Sequence, residues 1–134
     1  MDLHPPKKIK ICEIKDKGRG VISTENIAQG EIIETCPLII LGEQDSQFIG
    51  EKSDTLRHYH LYQQKFNRNC IMLGYASLYN HSFEPNSDIE YENDPKAKIL
   101  IFRAIKDIGV GEEITWDYNF DNNIVEFMPA NQNE

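Results

Sequence analysis

Apolar and polar residues alternate in short runs along most of this chain, which predicts a protein built mainly from strands. Ile9 and Ile11 alternate with polar neighbours, and residues 98–105 alternate in the same way. Side chains of a strand point to opposite faces in turn, so a period of two predicts half-buried strands in both places. Three shorter apolar runs predict further strands, at 21–22, 32–33 and 38–41.

The segment between these strands predicts a loop followed by a helix. Residues 42–53 are mostly polar and contain two glycines, which is typical of a loop. Asp54 can cap the start of a helix that runs to Phe66. In such a helix Leu56, Tyr59 and Gln63 would lie on one stripe.

Two octapeptides echo each other, at residues 26–33 and 107–114. Each has an isoleucine, a turn closed by glycine, a glutamate and a strand-like run. Eight residues are too few to establish an internal duplication, and a shared turn chemistry explains the similarity equally well.

Length and charge narrow the functional classes. A chain of 134 residues fits a single domain, and its 14 basic and 22 acidic residues give a net charge of −8. Residues 84–94 and 107–121 contain five acidic residues each and no lysine or arginine. If these stretches are more than a solvated acidic surface, they attract a cationic partner and repel nucleic acid. We therefore expect a basic protein or peptide as partner and no direct binding of nucleic acid.

The cysteines and histidines give no pattern of a metal centre. Cys12, Cys36 and Cys70 are widely spaced, so they predict free thiols rather than a disulfide framework or a zinc cluster. His58 and His60 lie two residues apart, and on a helix their rings would point about 200° apart. We expect groove or surface histidines and no bound metal.

Free thiols suit an intracellular protein, and no apolar stretch indicates a signal peptide or a membrane span. The expected compartment is the cytoplasm, or the nucleus in a eukaryote.

Three motifs carry the chemistry of the chain. They are Gly18-Arg19-Gly20, then Asn80-His81-Ser82-Phe83-Glu84-Pro85-Asn86, then Gly111-Glu112-Glu113-Ile114-Thr115-Trp116-Asp117-Tyr118. In this order they resemble the signature of SET-domain protein lysine methyltransferases, and the resemblance runs from about residue 7 to Tyr118. It implies a mostly β SET-domain (β-clip) fold with short helices and a threaded C-terminal segment. One domain would occupy residues 1–128, followed by a disordered tail at 129–134.

The resemblance also implies a cofactor and a reaction. Such enzymes transfer a methyl group from S-adenosylmethionine to the side-chain amine of a lysine in a protein. The residues that correspond to the cofactor-binding positions of the family are Gly18, Arg19, Gly20, Tyr79, Asn80 and His81. Lys17 is an alternative to Arg19 for the cofactor carboxylate. Asn80 and His81 could equally form a structural hydrogen-bond network.

Tyr118 corresponds to the catalytic tyrosine of the family, which stands beside the methyl group and the lysine nitrogen. The residues expected to line the substrate channel are Tyr75, Ile89, Trp116, Asp117 and Phe120. Ile89 replaces a tyrosine of many relatives, and Trp116 replaces the usual Phe or Tyr, which leaves the degree of methylation open. The cysteine-rich segment that often follows the domain is absent, so residues 120–128 or a second subunit in a homodimer would close the channel.

Two other classes remain to be weighed. One is a non-catalytic peptide-binding module with the same fold, against which the intact Tyr118 and the Gly18/Gly20 pair argue. The other is a hydrolase with Cys70 as nucleophile and His81 as base, for which no third, orienting group is evident.

Overall fold

The structure is a computed structural model that describes residues 2–118, and within this range it contains nine strands and one α-helix. The strands are β1 (Ile9–Ile14), β2 (Gly18–Ser23), β3 (Ile32–Ile40), β4 (His60–Gln63), β5 (Arg68–Met72), β6 (Asn80–His81), β7 (Ser87–Tyr91), β8 (Ile99–Ala104) and β9 (Thr115–Trp116). The helix is α1 (Glu43–Glu51), and short 3₁₀ turns cover Leu56–His58, Gln64–Phe66, Ala76–Leu78 and Pro95–Ala97.

The strands form three small sheets that share one core. Five strands pair in the order β4-β5-β3-β8-β7, all antiparallel, while β1 and β2 form a hairpin. The third sheet is the parallel pair of β6 and β9. Tyr79, Leu100, Phe102 and Ile114 are fully buried where these sheets meet. The expected mostly β fold is confirmed, whereas the expected threaded segment and tail lie outside the described residues.

The predicted strands are found, with one change of boundaries. β1 and β8 occupy the two alternating segments, and the runs at 32–33 and 38–41 belong to the single strand β3. Pro37 lies within β3 at the point where the strand changes partner from β8 to β5.

The predicted helix at 54–66 is wrong, and so is the predicted loop before it. Residues 60–63 form β4, which pairs with β5, and Leu61 and Gln63 are buried while the residues between them are not. This is the period of a strand, and tertiary pairing outweighs the helical stripe. The helix lies upstream, at α1, where Glu43 and Asp45 in the first turn complement the helix dipole and Ile49 is buried.

The two echoing octapeptides pair with each other. Ile27 and Ile108 form an antiparallel bridge, with N–H to carbonyl distances of 2.9 and 2.8 Å. The glycine that closes each turn, Gly30 or Gly111, has a positive φ. The N–H of Gly30 donates to the carbonyl of Ala104 at 2.8 Å, and the N–H of Gly111 donates to the carbonyl of Ser23 at 2.9 Å. Each acceptor lies just before the other turn. Each octapeptide therefore makes the same bonds to the other, as in a local two-fold arrangement. The turn chemistry that the two segments share serves to pair them.

Candidate active site

The two C-terminal motifs form one structural unit. β6, from the first motif, and β9, from the second, pair side by side. Asn86 is buried and bonds the second motif twice, since its Nδ2 donates to the carbonyl of Glu113 at 2.7 Å and its Oδ1 accepts from the N–H of Thr115 at 2.9 Å. The backbone N–H of Ser82 donates to the carbonyl of Trp116 at 3.0 Å. Asn86 thus fixes the neighbouring motif as well as its own turn.

The glycine turn meets this unit at a point that we call the glycine-turn junction, formed by Gly18–Gly20, Asn80 and Glu113. Asn80 Nδ2 donates to Glu113 Oε2 at 2.5 Å and lies 3.3 Å from the carbonyl oxygen of Arg19. A Cβ at Gly20 would lie 2.7 Å from Asn80 Nδ2 and 2.9 Å from Glu113 Oε2. Only glycine allows this approach at position 20.

The other groups of the glycine turn differ in their surroundings. Gly18 has a φ of +82°, which favours glycine, and the space where its Cβ would lie is open. Lys17 Nζ is ion-paired with Glu113 Oε1 at 3.1 Å. The Arg19 side chain is exposed, and it makes no hydrogen bond or ion pair within residues 2–118. Arg19, rather than Lys17, is the cation available to an anionic ligand here.

Tyr118 is held by both motifs. Its hydroxyl donates to the carbonyl of Tyr79, and its backbone N–H donates to His81 Nδ1 at 3.0 Å. The ring packs against those of His81 and Trp116, each with a centroid distance of 5.2 Å. Asp117 Oδ1 lies 3.7 Å from His81 Nδ1, but that nitrogen is the acceptor of the Tyr118 bond. The geometry fixes the tyrosine hydroxyl at the end of β9.

A small pocket of about 50 Å³ opens beside Tyr118, and we call it the aromatic pocket. Its lining consists of His58, Tyr59, His60, Leu61, Met72, Ala76, Ser77, Tyr79, Trp116 and Tyr118. Aromatic rings therefore form much of the pocket wall. Trp116, which was expected to line the substrate channel, is one of the lining residues.

The other predicted channel residues are placed differently. Tyr75 and Ile89 are half-buried, pack against the core and do not line the aromatic pocket. Asp117 lies beside the pocket and not in its lining, and Phe120 lies outside the described residues. Tyr59, which the predicted helix would place on one stripe with Leu56 and Gln63, is 38% exposed and lines the pocket. It does so because residues 54–66 form a turn and an edge strand rather than a packed helix.

Glu34 is a buried carboxylate that the sequence analysis missed. A bulge in β3 places both Ile33 and Glu34 inside, so Glu34, only 3% exposed, joins the core face of the strand. Its oxygens accept from the hydroxyl of Tyr79 at 2.7 Å and from the N–H of Tyr75 at 2.8 Å. Burial raises the pKa of Glu34, against the opposing effect of these donors. A charged residue inside an otherwise apolar run was the one available signal.

The surroundings of Cys70 argue against a hydrolase that uses its thiol. Burial raises the pKa of the Cys70 thiol to about 12, so a thiolate nucleophile does not form there near neutral pH. Among residues 2–118 no cluster of His, Cys, Asp and Glu is arranged to hold a metal ion. No helix in the same range is long and apolar enough to cross a membrane.

The acidic stretches are partly neutralised by salt bridges. Glu90 binds Arg103 through two contacts, at 2.6 and 3.1 Å, and this pairing lowers the pKa of Glu90. Glu113 pairs with Lys17, as described above. Glu84 and Asp88 remain exposed, so part of the first acidic stretch is available to a cationic partner.

Comparison with solved structures defines the class of fold. The crystal structure of a "putative histone methyltransferase" of Plasmodium falciparum matches with a TM-score of 0.69 and 33% sequence identity, over 86% of this chain and 96% of that one. The glycine turn, the paired motifs and the held tyrosine are thus set in a fold shared with that protein.

Comparison of sequences identifies the family. The family model of the SET domain matches residues 18–119, so this chain belongs to the SET-domain family. It is 30% identical to the N-lysine methyltransferase KMT5A of Xenopus tropicalis over 82% of the chain, and 30% identical to the histone-lysine N-methyltransferase ASHR3 of Arabidopsis thaliana over 92% of it. The chain spans only 35% and 25% of the length of these two relatives.

Proposed function

We propose that this chain is an S-adenosylmethionine-dependent protein-lysine methyltransferase with Tyr118 as its catalytic residue. The observation that carries the proposal is the placement of Tyr118, whose hydroxyl is fixed on the Tyr79 carbonyl between the aromatic pocket and the Asn80–His81 strand. The relatives named above as lysine methyltransferases support the same reaction.

The glycine-turn junction fits the proposed cofactor. S-adenosylmethionine carries a carboxylate, and the exposed Arg19 offers a cation beside a turn whose Gly18 leaves open space. Asn80 and His81 present the strand that would meet the rest of the cofactor. When bound, S-adenosylmethionine supplies a methyl group already activated by a sulfonium. The protein then has to hold the lysine amine next to this methyl group, and its contribution to the rate is one of proximity.

The aromatic pocket fits the side chain of a lysine. Rings of Tyr59, Trp116 and Tyr118 line it, and aromatic faces attract alkylammonium groups. The reacting amine has to be neutral, and a free lysine with a pKa near 10.4 loses its proton at pH 8 at a cost of about 3 kcal/mol. An apolar wall lowers that cost because burial disfavours the charged form.

The substrate that we propose is a basic protein or peptide. Glu84 lies within the first motif and Asp88 lies two residues after it; both are exposed, and a cationic chain would be drawn to them. The relative from Arabidopsis thaliana is named a histone-lysine methyltransferase, and histones are strongly basic. A histone-like tail is therefore the first substrate to test.

The test combines binding and turnover. Trp116 is the only tryptophan of the chain, so its fluorescence should respond when the cofactor binds. Incubation with cofactor labelled in its methyl group and with core histones should then label a lysine. If calorimetry detects no cofactor binding at millimolar concentration, with or without a lysine peptide, the proposal fails. Cofactor and peptide binding without any label transfer would favour the non-catalytic peptide-binding module.

A further inference from the structure

His60 has the position and the hydrogen bonding of a proton acceptor in the aromatic pocket. It is the first residue of β4, is half-buried and lines the pocket together with Trp116 and Tyr118. Its Nδ1 lies 2.9 Å from the carbonyl oxygen of Arg57, in the 3₁₀ turn that precedes the strand. The chain thus holds the ring through its own backbone, three residues upstream.

This bond fixes the tautomer of the neutral ring. A carbonyl oxygen can only accept, so Nδ1 must carry the hydrogen, and a neutral imidazole has only one. Nε2 therefore keeps its lone pair. Within residues 2–118 no group hydrogen-bonds to His60 Nε2, and Arg57 itself does not line the pocket. The geometry points to Nε2 as the nitrogen available to a ligand in the pocket.

The other titratable groups of the pocket are less suited to accept a proton. Among residues 2–118 they are His58, Tyr59, Tyr79 and Tyr118, and this described part of the lining contains no carboxylate, lysine or arginine. The hydroxyls of Tyr79 and Tyr118 already donate, to Glu34 and to the Tyr79 carbonyl. Tyr59 is a phenol, which is a donor near neutral pH. No described hydrogen bond involves a ring nitrogen of His58, so nothing there selects a tautomer.

We infer that His60 is a catalytic residue that takes the proton of the substrate ammonium through Nε2. The step rests on the proposed function, because it supplies the neutral amine that methyl transfer needs. One N–H bond of the ammonium breaks, and a bond between that proton and Nε2 forms. The positive charge moves to the imidazolium, whose Nδ1–H stays bonded to the Arg57 carbonyl. Because His60 is half-buried, the proton can then leave to solvent.

The decisive variant is His60→Asn. The Asn amide can still donate to the Arg57 carbonyl in place of Nδ1–H, so the turn is preserved, but it offers no counterpart of Nε2. We expect kcat on a lysine peptide at pH 7.5 to fall about 100-fold, the size of a general-base contribution. The loss should shrink to less than about threefold near pH 10, where much of the lysine arrives already neutral. KM should change little, and His4→Asn serves as the matched control.

The pH dependence separates chemistry from structure. A loss of the same size at every pH would show a structural role and overturn the inference, as would no loss at all. If the unsubstituted protein transfers no methyl group under any condition, the proposed function fails, and the catalytic role of His60 fails with it.

A second measurement, by NMR, tests the hydrogen bonding of His60 and does not require turnover. The ¹⁵N shifts of the His60 ring should report a protonated Nδ1 and an unprotonated Nε2 in the neutral form. Butylammonium, a mimic of the lysine side chain, should shift the Nε2 resonance when it fills the pocket. A ring protonated on Nε2, or a resonance that does not move at saturating butylammonium, would overturn the inference.

Discussion

The glycine-turn junction and the outer wall of the aromatic pocket are built in opposite ways. In the junction, the bonds join residues far apart in the chain, such as Asn80 to Glu113 and Lys17 to Glu113. In the wall, residues 53–59 are held by bonds to their near neighbours, with Tyr59 N–H donating to the Leu56 carbonyl and Leu56 N–H donating to the Ser53 hydroxyl. The junction depends on particular side chains that meet in three dimensions, whereas the wall needs only a turn. Its residues can change without disturbing the junction, which makes the wall the natural place for substrate preference to vary.

The largest effect should come from Tyr118, which lines the aromatic pocket and is bonded to Tyr79 and His81. Tyr118→Phe removes the hydroxyl that donates to the Tyr79 carbonyl but keeps the ring contacts with His81 and Trp116. We expect kcat to fall about 100- to 1,000-fold, comparable to the loss of one positioned polar group in an active site. Cofactor affinity should stay within about threefold of the wild-type value. Radiolabel transfer and calorimetry measure the two quantities, and full turnover in this variant would remove Tyr118 from the catalytic role.

Gly20→Ala should disrupt the junction while leaving the pocket wall alone. The added methyl would lie 2.6 Å from Ile14 Cγ1 and 2.7 Å from Asn80 Nδ2, so the contacts have to open. We expect a loss of about 1–3 kcal/mol in the free energy of unfolding, together with weaker cofactor binding.

Gly50→Ala is the matched control for this substitution. Gly50 lies near the end of α1 with open space around its Cβ position, so alanine should raise the stability by up to about 1 kcal/mol. Denaturant unfolding of both variants gives the comparison. Equal effects at the two positions would show that close approach is not what requires glycine at position 20.

The same contrast explains what could be predicted from the sequence. The motifs that contain Gly18–Gly20, Asn80 and Glu113 can be read from the sequence, because a crowded junction restricts the residue types that fit. The pocket wall has no such motif, and the stripe of Leu56, Tyr59 and Gln63 favours a helix at 54–66 that the structure does not contain. Residues 60–63 form β4 because they pair with β5, at residues 68–72, and a local pattern in the sequence does not show such pairing between strands.

Glu34 could not be placed for a related reason. Alternation along β3 assigns one face to each residue, and the bulge at Ile33 shifts that assignment by one position. Its partners, Tyr75 and Tyr79, lie about forty residues away and meet it only in the folded chain. Neither the bulge nor this contact has a signature in the sequence beyond a single acid among apolar neighbours.

Glu34 accepts a hydrogen bond from Tyr79, which lines the aromatic pocket, and the pKa of Glu34 gives a pH test of this contact. Because burial raises the pKa of Glu34 in the folded protein, the folded state holds this proton more tightly than the unfolded state does. The contribution of Glu34 to stability is therefore full below its ordinary value of 4.5 and is lost as pH rises through the raised folded value. Glu34→Gln should remove this fall in stability between mildly acidic and neutral pH.

The change also costs hydrogen bonds, since an amide has one acceptor oxygen for the Tyr79 hydroxyl and the Tyr75 N–H. We expect the loss, about 1–3 kcal/mol, to be largest below pH 4.5 and to become smaller as pH rises through the raised pKa of Glu34. Thermal unfolding of both proteins from pH 4 to pH 8 measures this. Parallel curves across the range would mean that Glu34 does not titrate in this window and that burial does not control its charge.

The smallest effect should come from the exposed carboxylates in and just after the first motif. Glu84 and Asp88 are exposed, while Glu90 in the same stretch is paired with Arg103. We expect Glu84→Gln and Asp88→Asn each to raise KM for a basic peptide about two- to threefold at low salt, because each removes one attractive charge. The difference should vanish near 0.5 M salt, where screening leaves little attraction beyond the first few ångströms. Asp88→Glu is the matched control, since it keeps the negative charge at the same position. If all three variants behave alike, or if KM does not depend on salt, recognition of the substrate is a matter of shape at the pocket wall and not of charge.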